Sequence, residues 1–416
     1  MYDPYAEFTK HVLPNGLEVH SVFWDRPWVR VEVVVHSGGR EDPLEIPGLA
    51  HFVEHVVSEN IPKRKLDEVK ALFDACGGRA SFGRTNYLTT RYAFCIPANS
   101  GILREALAIF GSMLLEAQIE DYIERERSVI LREFNGRYPF HEKLEWDLAA
   151  RRALFKGHRL ETWNRPLGLP EGFLKATKDD LQGFYSRHYV PANISLVVVG
   201  GFKTEEVITE LEKSPFGKMK DGRRNPIPEP FDHIPTPREH ERMVKLSDHF
   251  SFKVDQTEYR ATWAFPGSFP RQARKVFSIV LSEVLFDQIR QKRGLAYSIG
   301  SSFTSFQDIC EFSIQGSVRP EVTLDINGLV GECIDMVPSR PDLFERKLRS
   351  CIQRCFMTDL SGEELGDTSA DWLSMHHRII TIQETLRELH LVTFEQMAEA
   401  AALLSPEKQY TFITSP

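Results

Sequence analysis

The segment His51-Phe52-Val53-Glu54-His55 puts two imidazoles and one carboxylate within five residues, a grouping suited to metal-assisted hydrolysis. On a helix, residues three and four apart share a face, so His51, Glu54 and His55 project the same way. Two imidazoles one turn apart can hold one Zn²⁺, and a carboxylate beside them can take a proton from the attacking water. Leu49, Phe52, Val53, Val56 and Val57 form an apolar stripe on another side, which supports the helix. The order H-x-x-E-H inverts the H-E-x-x-H zinc-protease motif. In a chain with fourteen histidines such a pentamer arises by chance in roughly a few per cent of cases. The rest of the chain has to decide.

A hydrolytic zinc site needs a third protein ligand and an open position. Residues 119–137 read as a helix whose apolar stripe is Ile119, Ile123, Ile130 and Phe134, with Glu126 and Glu133 inside that stripe. Carboxylates on a core-facing side are costly unless paired or bound to a metal. One reading is a buried salt bridge to Arg125, Arg127 or Arg132. The other, favoured by the upstream histidines, makes Glu133 the third ligand.

With these segments in place, the sequence resembles the M16 family of zinc peptidases, which includes pitrilysin, insulin-degrading enzyme and the mitochondrial processing peptidase. That family pairs H-x-x-E-H with a glutamate in a context like E-R-x-x-V-I-x-x-E. Glu126-Arg127-Ser128-Val129-Ile130-Leu131-Arg132-Glu133 fits it, and Glu133 follows His55 by 78 residues. The resemblance implies that His51, His55 and Glu133 bind one Zn²⁺, that Glu54 is the base, and that Glu126 orients a ligand histidine. Leu13-Pro14-Asn15-Gly16-Leu17 resembles the family's opening strand and turn, and His188-Tyr189-Val190-Pro191-Ala192-Asn193 the lead into the last strand of the first half. Arg290-Gln291-Lys292-Arg293-Gly294-Leu295-Ala296-Tyr297 resembles R-x-x-x-G-L-x-Y, which implies that Arg290 and Tyr297 reach the substrate. The implied activity is a zinc endopeptidase acting on short or unfolded peptides, which add as a strand to a sheet edge near the zinc helix. Because Arg290 and Tyr297 lie in the second half, the two halves are expected to close on the peptide. The alternative is a non-catalytic or partner-dependent subunit of a heterodimeric processing protease. Ligands, base and the Arg–Tyr pair occur together in this chain, which favours a homodimer, or a chain that can act alone, over an obligate inactive partner. One departure stands out. After Cys76-Gly77-Gly78, where active relatives carry N-A-x-T, this chain has Arg79-Ala80-Ser81-Phe82-Gly83-Arg84-Thr85-Asn86-Tyr87, read as shifted by an insertion of about two residues.

The elements that position these residues follow from length and pattern. At 416 residues the chain suits two domains of about 200 each. Residues 1–213 form the expected first domain and 243–416 the second. Between them, residues 214–242 carry Pro215, Pro226, Pro228, Pro230, Pro235 and Pro237 and read as a linker. The halves look like distant copies: strand 29–38 leads into the motif helix, and strand 259–268 leads into a helix over 274–290. That second helix lacks H-x-x-E-H, so one half is chemically armed. The fold class is α+β, two homologous domains, each a mostly antiparallel sheet covered by helices on one face, as the family's clamshell half would be.

Net charge of −8 gives no footprint for nucleic acid or anionic membrane. Met1 to Lys10 has no signal-peptide core and no apolar run approaches a membrane span, so a cytoplasmic protein is expected. The six cysteines are scattered, without C-x-x-C. Cys351 and Cys355 read as core packing, and His376-His377, about 100° apart on a helix, as surface residues. Gly38-Gly39 and Gly200-Gly201 lack a phosphate-loop context and read as turns.

Overall fold

Alternating β-branched and aromatic residues build two sheets in the computed structural model, which describes residues 2–62, 64–119, 122–163, 167–219, 222–231, 236–237, 240–245, 257–320, 325–357 and 361–415. The first sheet contains β1 (Thr9–Val12), β2 (Glu18–Phe23), β3 (Trp28–Val35), β4 (Arg79–Thr85), β5 (Thr90–Pro97) and β6 (Ile194–Gly200), in the order β1-β2-β6-β3-β5-β4. The second contains β7 (Glu241–Lys245), β8 (Thr257–Pro266), β9 (Ala296–Ser305), β10 (Ile309–Val318) and β11 (Tyr410–Ser415), in the order β7-β11-β8-β10-β9. Setting β1 aside, the two orders coincide. Each has one parallel pair at the same place, β2 with β6 and β7 with β11, and antiparallel pairs elsewhere. The expected duplication is therefore present in the topology.

In the first half the helices are α1 (Leu49–Glu59), α2 (Leu66–Ala75), α3 (Ser100–Leu115), α4 (Ile123–Arg137) and α5 (His141–Leu154), with further ones following. Val29, Val31, Val33 and Val35 of β3 and Tyr92, Phe94 and Ile96 of β5 turn one sheet face towards α1 and α3, forming the first core. Tyr259, Ala261, Trp263 and Phe265 of β8 do the same against the helix Arg271–Leu285, which occupies the place of α1 in the second half. That helix continues as a π-helical turn, Phe286–Lys292, where a uniform helix through Arg290 was expected.

The opposite faces are covered by exchange. Leu365, Ala370 and Leu373 of the helix Gly362–His376 pack on Val22, Val34, Val197 and Val199 of the first sheet. Ala149, Ala150 and Leu154 of α5 pack against Ala264, Ile309, Tyr410 and Phe412 of the second. Polar contacts lock both exchanges. Arg91, 3% exposed at its side chain, pairs with Glu32 at 3.2 Å, Asp367 at 3.2 Å and Asp371 at 2.6 Å. Arg151 of α5 meets Glu311 of β10 at 3.2 Å. The two halves of one chain are thus interlocked. Closure of one half on the other, expected from the place of Arg290 and Tyr297, would have to pull both helices out of buried contacts.

The exchange also accounts for His376 and His377, which are half-buried where exposed positions were expected. His377 ends its helix in a left-handed conformation (φ 51°) and its ring lies 4.5 Å from that of His36 in the first half. Cys351 is buried in the second core with Cys355 packed against it. Within 214–242, Pro215–Lys218 is a short helix whose Phe216 is buried in the first core, because proline suits a first helical turn. Arg224 reaches Glu18 at 2.7 Å, and the Phe231 N–H donates to the Asp308 carbonyl at 2.7 Å, so this segment touches both halves. Pro235 lies outside the described residues. No described helix is long and apolar enough to cross a membrane.

Candidate metal centre

The motif helix α1 starts without a side-chain cap of its own, because Gly48 (φ 98°) occupies the cap position. Asp42 supplies the cap from outside: its carboxylate accepts the Gly48 N–H at 2.6 Å and the Ala50 N–H at 2.7 Å. The helix is buried on nearly every side, with His51 5% and Glu54 7% exposed. Its polar face meets α4, which brings in the two glutamates.

There the ligand-type atoms converge. His51 Nε2 and His55 Nε2 are 3.2 Å apart, and Glu133 Oε2 lies 3.9 Å from the first and 3.6 Å from the second. Among the described residues these three side chains are the group whose donor atoms, all within 4.8 Å, suit a metal ion. His55 Nδ1 is hydrogen-bonded to Glu126 Oε2 at 3.1 Å, which turns Nε2 towards the cluster. The other Glu126 oxygen is 3.5 Å from Arg125, so this buried carboxylate has both the arginine and the histidine considered for it. Glu133 differs from expectation. Its side chain is 48% exposed where a core-facing position was predicted. Glu126 and Glu133 are seven residues apart, a spacing that rotates about 20° along a straight helix, which sets Glu133 at the rim of a stripe that stays buried on either side of it at Ile130 and Phe134. The cluster thereby has one open side, as a hydrolytic zinc site would require, and two nitrogens plus one carboxylate oxygen fit zinc.

Electrostatics divide the two histidines. Burial holds His51 down at about 3, with His55 adding to the effect. For His55 burial also opposes charge, but hydrogen bonds to Glu126 and Glu133 outweigh it and raise the ring to about 10. The hydrogen bond to His55 draws the Glu133 carboxyl below its ordinary value. Burial pushes Glu54 up.

Glu54 lies on the β4 side of α1. Its Oε2 accepts the backbone N–H of Thr85 at 3.1 Å and the Thr85 hydroxyl at 2.8 Å. The Ser58 hydroxyl, one turn further, faces the Glu54 carbonyl at 2.7 Å and also the Phe82 carbonyl of β4. The segment whose register was in question forms the edge strand β4, paired among the described residues with β5 alone. Its irregularity is one extra residue between Ser81 and Arg84, three steps on β4 against two on β5. Thr85 went unrecognised in the sequence because its contact depends on that bulge.

Arg290 and Tyr297 come together elsewhere. The Arg290 guanidinium lies 4.9 Å from the Phe286 ring centre and 5.8 Å from that of Tyr297, which is 71% exposed. Among the described residues no hydrogen bond, ion pair or ring contact joins either residue to His51, Glu54, His55 or Glu133.

A duplicated sheet-and-helix fold with a two-histidine, one-glutamate cluster in its first half defines a class, the M16-type peptidases. The sequence matches "Insulinase (Peptidase family M16)" over residues 25–153 and "Peptidase M16 inactive domain" over 175–337, and the chain belongs to peptidase family M16. A Mycobacterium tuberculosis protein named "uncharacterized zinc protease" is 26% identical over 97% of this chain and 92% of its own. Among solved structures, a protease from Helicobacter pylori aligns with a TM-score of 0.80 at 19% identity, covering 100% of both chains. The periplasmic protease PqqL of Escherichia coli aligns with a TM-score of 0.81 at 17% identity, covering 98% of this chain and 47% of that one.

Proposed function

We propose that this protein is a zinc-dependent endopeptidase for short or unfolded peptides, with His51, His55 and Glu133 as ligands and Glu54 as general base. The observation that carries the reading is the convergence of those three donor sets beside a buried carboxylate, in a chain whose relatives are named zinc proteases. Zinc held there supplies Lewis acidity to the peptide carbonyl and lowers the pKa of the attacking water. Glu54 takes the proton of that water and delivers it to the leaving amine. Glu126 holds His55 in the tautomer that keeps Nε2 free for the metal. The free edge of β4 offers backbone donors and acceptors to an extended peptide, a mode that reads main chain more than side chains.

Arg290 and Tyr297 serve a metal centre other than their own chain's. Two findings support this: the pair is solvent-facing and away from the triad, and the chain covers about half of the PqqL structure, leaving room in that protein for a second unit. We place two copies of this chain face to face, each lending its Arg290 and Tyr297 to the other's site as hydrogen-bond donors for the developing oxyanion.

The test is digestion of a mixture of unfolded peptides by the parent protein and by Glu54→Gln, followed by mass spectrometry. Cleavage by the parent alone is expected. Equal cleavage by both would assign the activity to another site.

A further inference from the structure

We infer that Thr85 is a positioning residue for the Glu54 carboxylate, and that Gly83 beside it must lack a side chain for the carboxylate to sit there. The inference rests on the peptidase reading for its consequence in turnover, while the contact itself is independent of it.

The bulge is the starting point. Ser81 is opposite Ala93 and Arg84 opposite Arg91, so β4 spends one residue more than β5 between these pairs. In an unbroken strand, side chains alternate faces, and Ser81 and Thr85 would then share one. The extra residue reverses that. Arg84 now falls beside Arg91 on the face covered by the helix Gly362–His376, and Thr85 falls beside Thr90 on the face of α1. Without the insertion, the Thr85 hydroxyl would point away from Glu54.

The contact it creates is specific. Two donors of one residue, N–H at 3.1 Å and O–H at 2.8 Å, converge on one oxygen of a carboxylate that is 7% exposed. Both bonds fall on Oε2, and among the described residues no hydrogen bond falls on Oε1. Oε1 lies over the bare Cα of Gly83, where a Cβ would stand 2.1 Å from it and 2.6 Å from the carboxyl carbon. An alanine there would displace the carboxylate. Ser58 adds a second tether between α1 and β4 at Phe82, so the base and the strand that offers its edge to peptide form one assembly.

A purely structural role, in which Thr85 only anchors β4, makes different predictions. Steady-state kinetics are measured on a peptide chosen from the parent's own substrates, for the full chain and for Thr85→Val, Thr85→Ser and Gly83→Ala. Thr85→Val keeps the backbone N–H and the shape and is expected to lower kcat at least about tenfold with KM within about twofold, at unchanged zinc content. Thr85→Ser is expected to recover most of the loss, and Gly83→Ala to lower kcat by at least as much as Thr85→Val. The second readout needs no activity: Tm of the zinc-free protein for Thr85→Val, Glu54→Ala and the pair. A bond between them makes the double variant's Tm shift depart from the sum of the single shifts. Additive shifts, a rise in KM at constant kcat, or no rescue by serine would overturn the inference. A parent that cleaves no peptide would instead overturn the peptidase reading and Thr85's part in turnover, with the Tm cycle still deciding the contact.

Discussion

His55 stands between two carboxylates, and this sets the terms on which the proposed site would take a metal. Held at about 10 by Glu126 and Glu133 against the pull of burial, it carries a proton at neutral pH in the metal-free protein, while buried His51 stays neutral. That proton must leave before Nε2 can bind zinc, so affinity should rise with pH through the neutral range. Calorimetric titration with zinc at pH 7, in buffers of different ionisation enthalpy, should report release of about one proton per ion bound. Replacing Glu126 by Gln removes the charge that orients His55 and should loosen zinc about 10- to 100-fold with the fold retained, as equilibrium dialysis would measure. These residues were legible in the sequence because their relations are local: three, four and seven residues apart on helices. Thr85 was not, since its side is decided by a bulge in pairing with β5. Nor was the exposure of Glu133, which sits at the rim of a stripe that stays buried on either side of it at Ile130 and Phe134.

Helix α1 shows how far element boundaries could be read. Its periodicity marks it plainly, yet its cap is Asp42, beyond the reach of a rule that looks at the cap position itself, where Gly48 stands. Burial pushes the Asp42 carboxyl up to about 8, against the pull of two N–H donors, so the cap is held at some cost. Asp42→Ala should lower stability by about 2 kcal/mol, and Asp42→Asn by less because its carbonyl still accepts a bond; denaturant unfolding would measure both. The π-helical turn at 286–292 was likewise invisible, because Phe286, Ile289 and Arg290 fit an ordinary helical pattern. The prolines of 214–242 suggested a featureless connection. Phe216 is the residue that contradicts this locally, a large apolar side chain buried directly after Pro215.

At the scale of the molecule, the duplicated sheet order was foreseeable from matching strand-to-helix successions, but the exchange of helices between halves was not. An amphipathic helix records that it has a buried face, and does not record whose sheet it covers. The seam so formed holds His36 against His377, with Arg224, Glu18 and His20 around them. Burial, then Arg224, keeps His36 well below its ordinary value and His377 down at about 4. Unfolded, both would titrate near about 6.5, so the unfolded chain gains protons first as pH falls. The stability these neutral rings contribute is complete above that value and is lost progressively towards pH 4. Scanning calorimetry should show Tm falling between pH 7 and pH 5, and falling less in His377→Phe. If two copies share their sites, mixing Glu54→Gln with Tyr297→Phe should restore part of the activity that each lacks alone, since one of the two sites in a mixed pair is intact. Neither variant regaining activity on mixing would place Tyr297 outside the partner's site. The most direct measurement is an anomalous difference map at the zinc edge from crystals of the zinc-loaded protein. One peak about 2.0–2.2 Å from His51 Nε2, His55 Nε2 and a Glu133 carboxylate oxygen is expected. A peak elsewhere, or none at this cluster in protein that carries zinc, would contradict the assignment on which the mechanism depends.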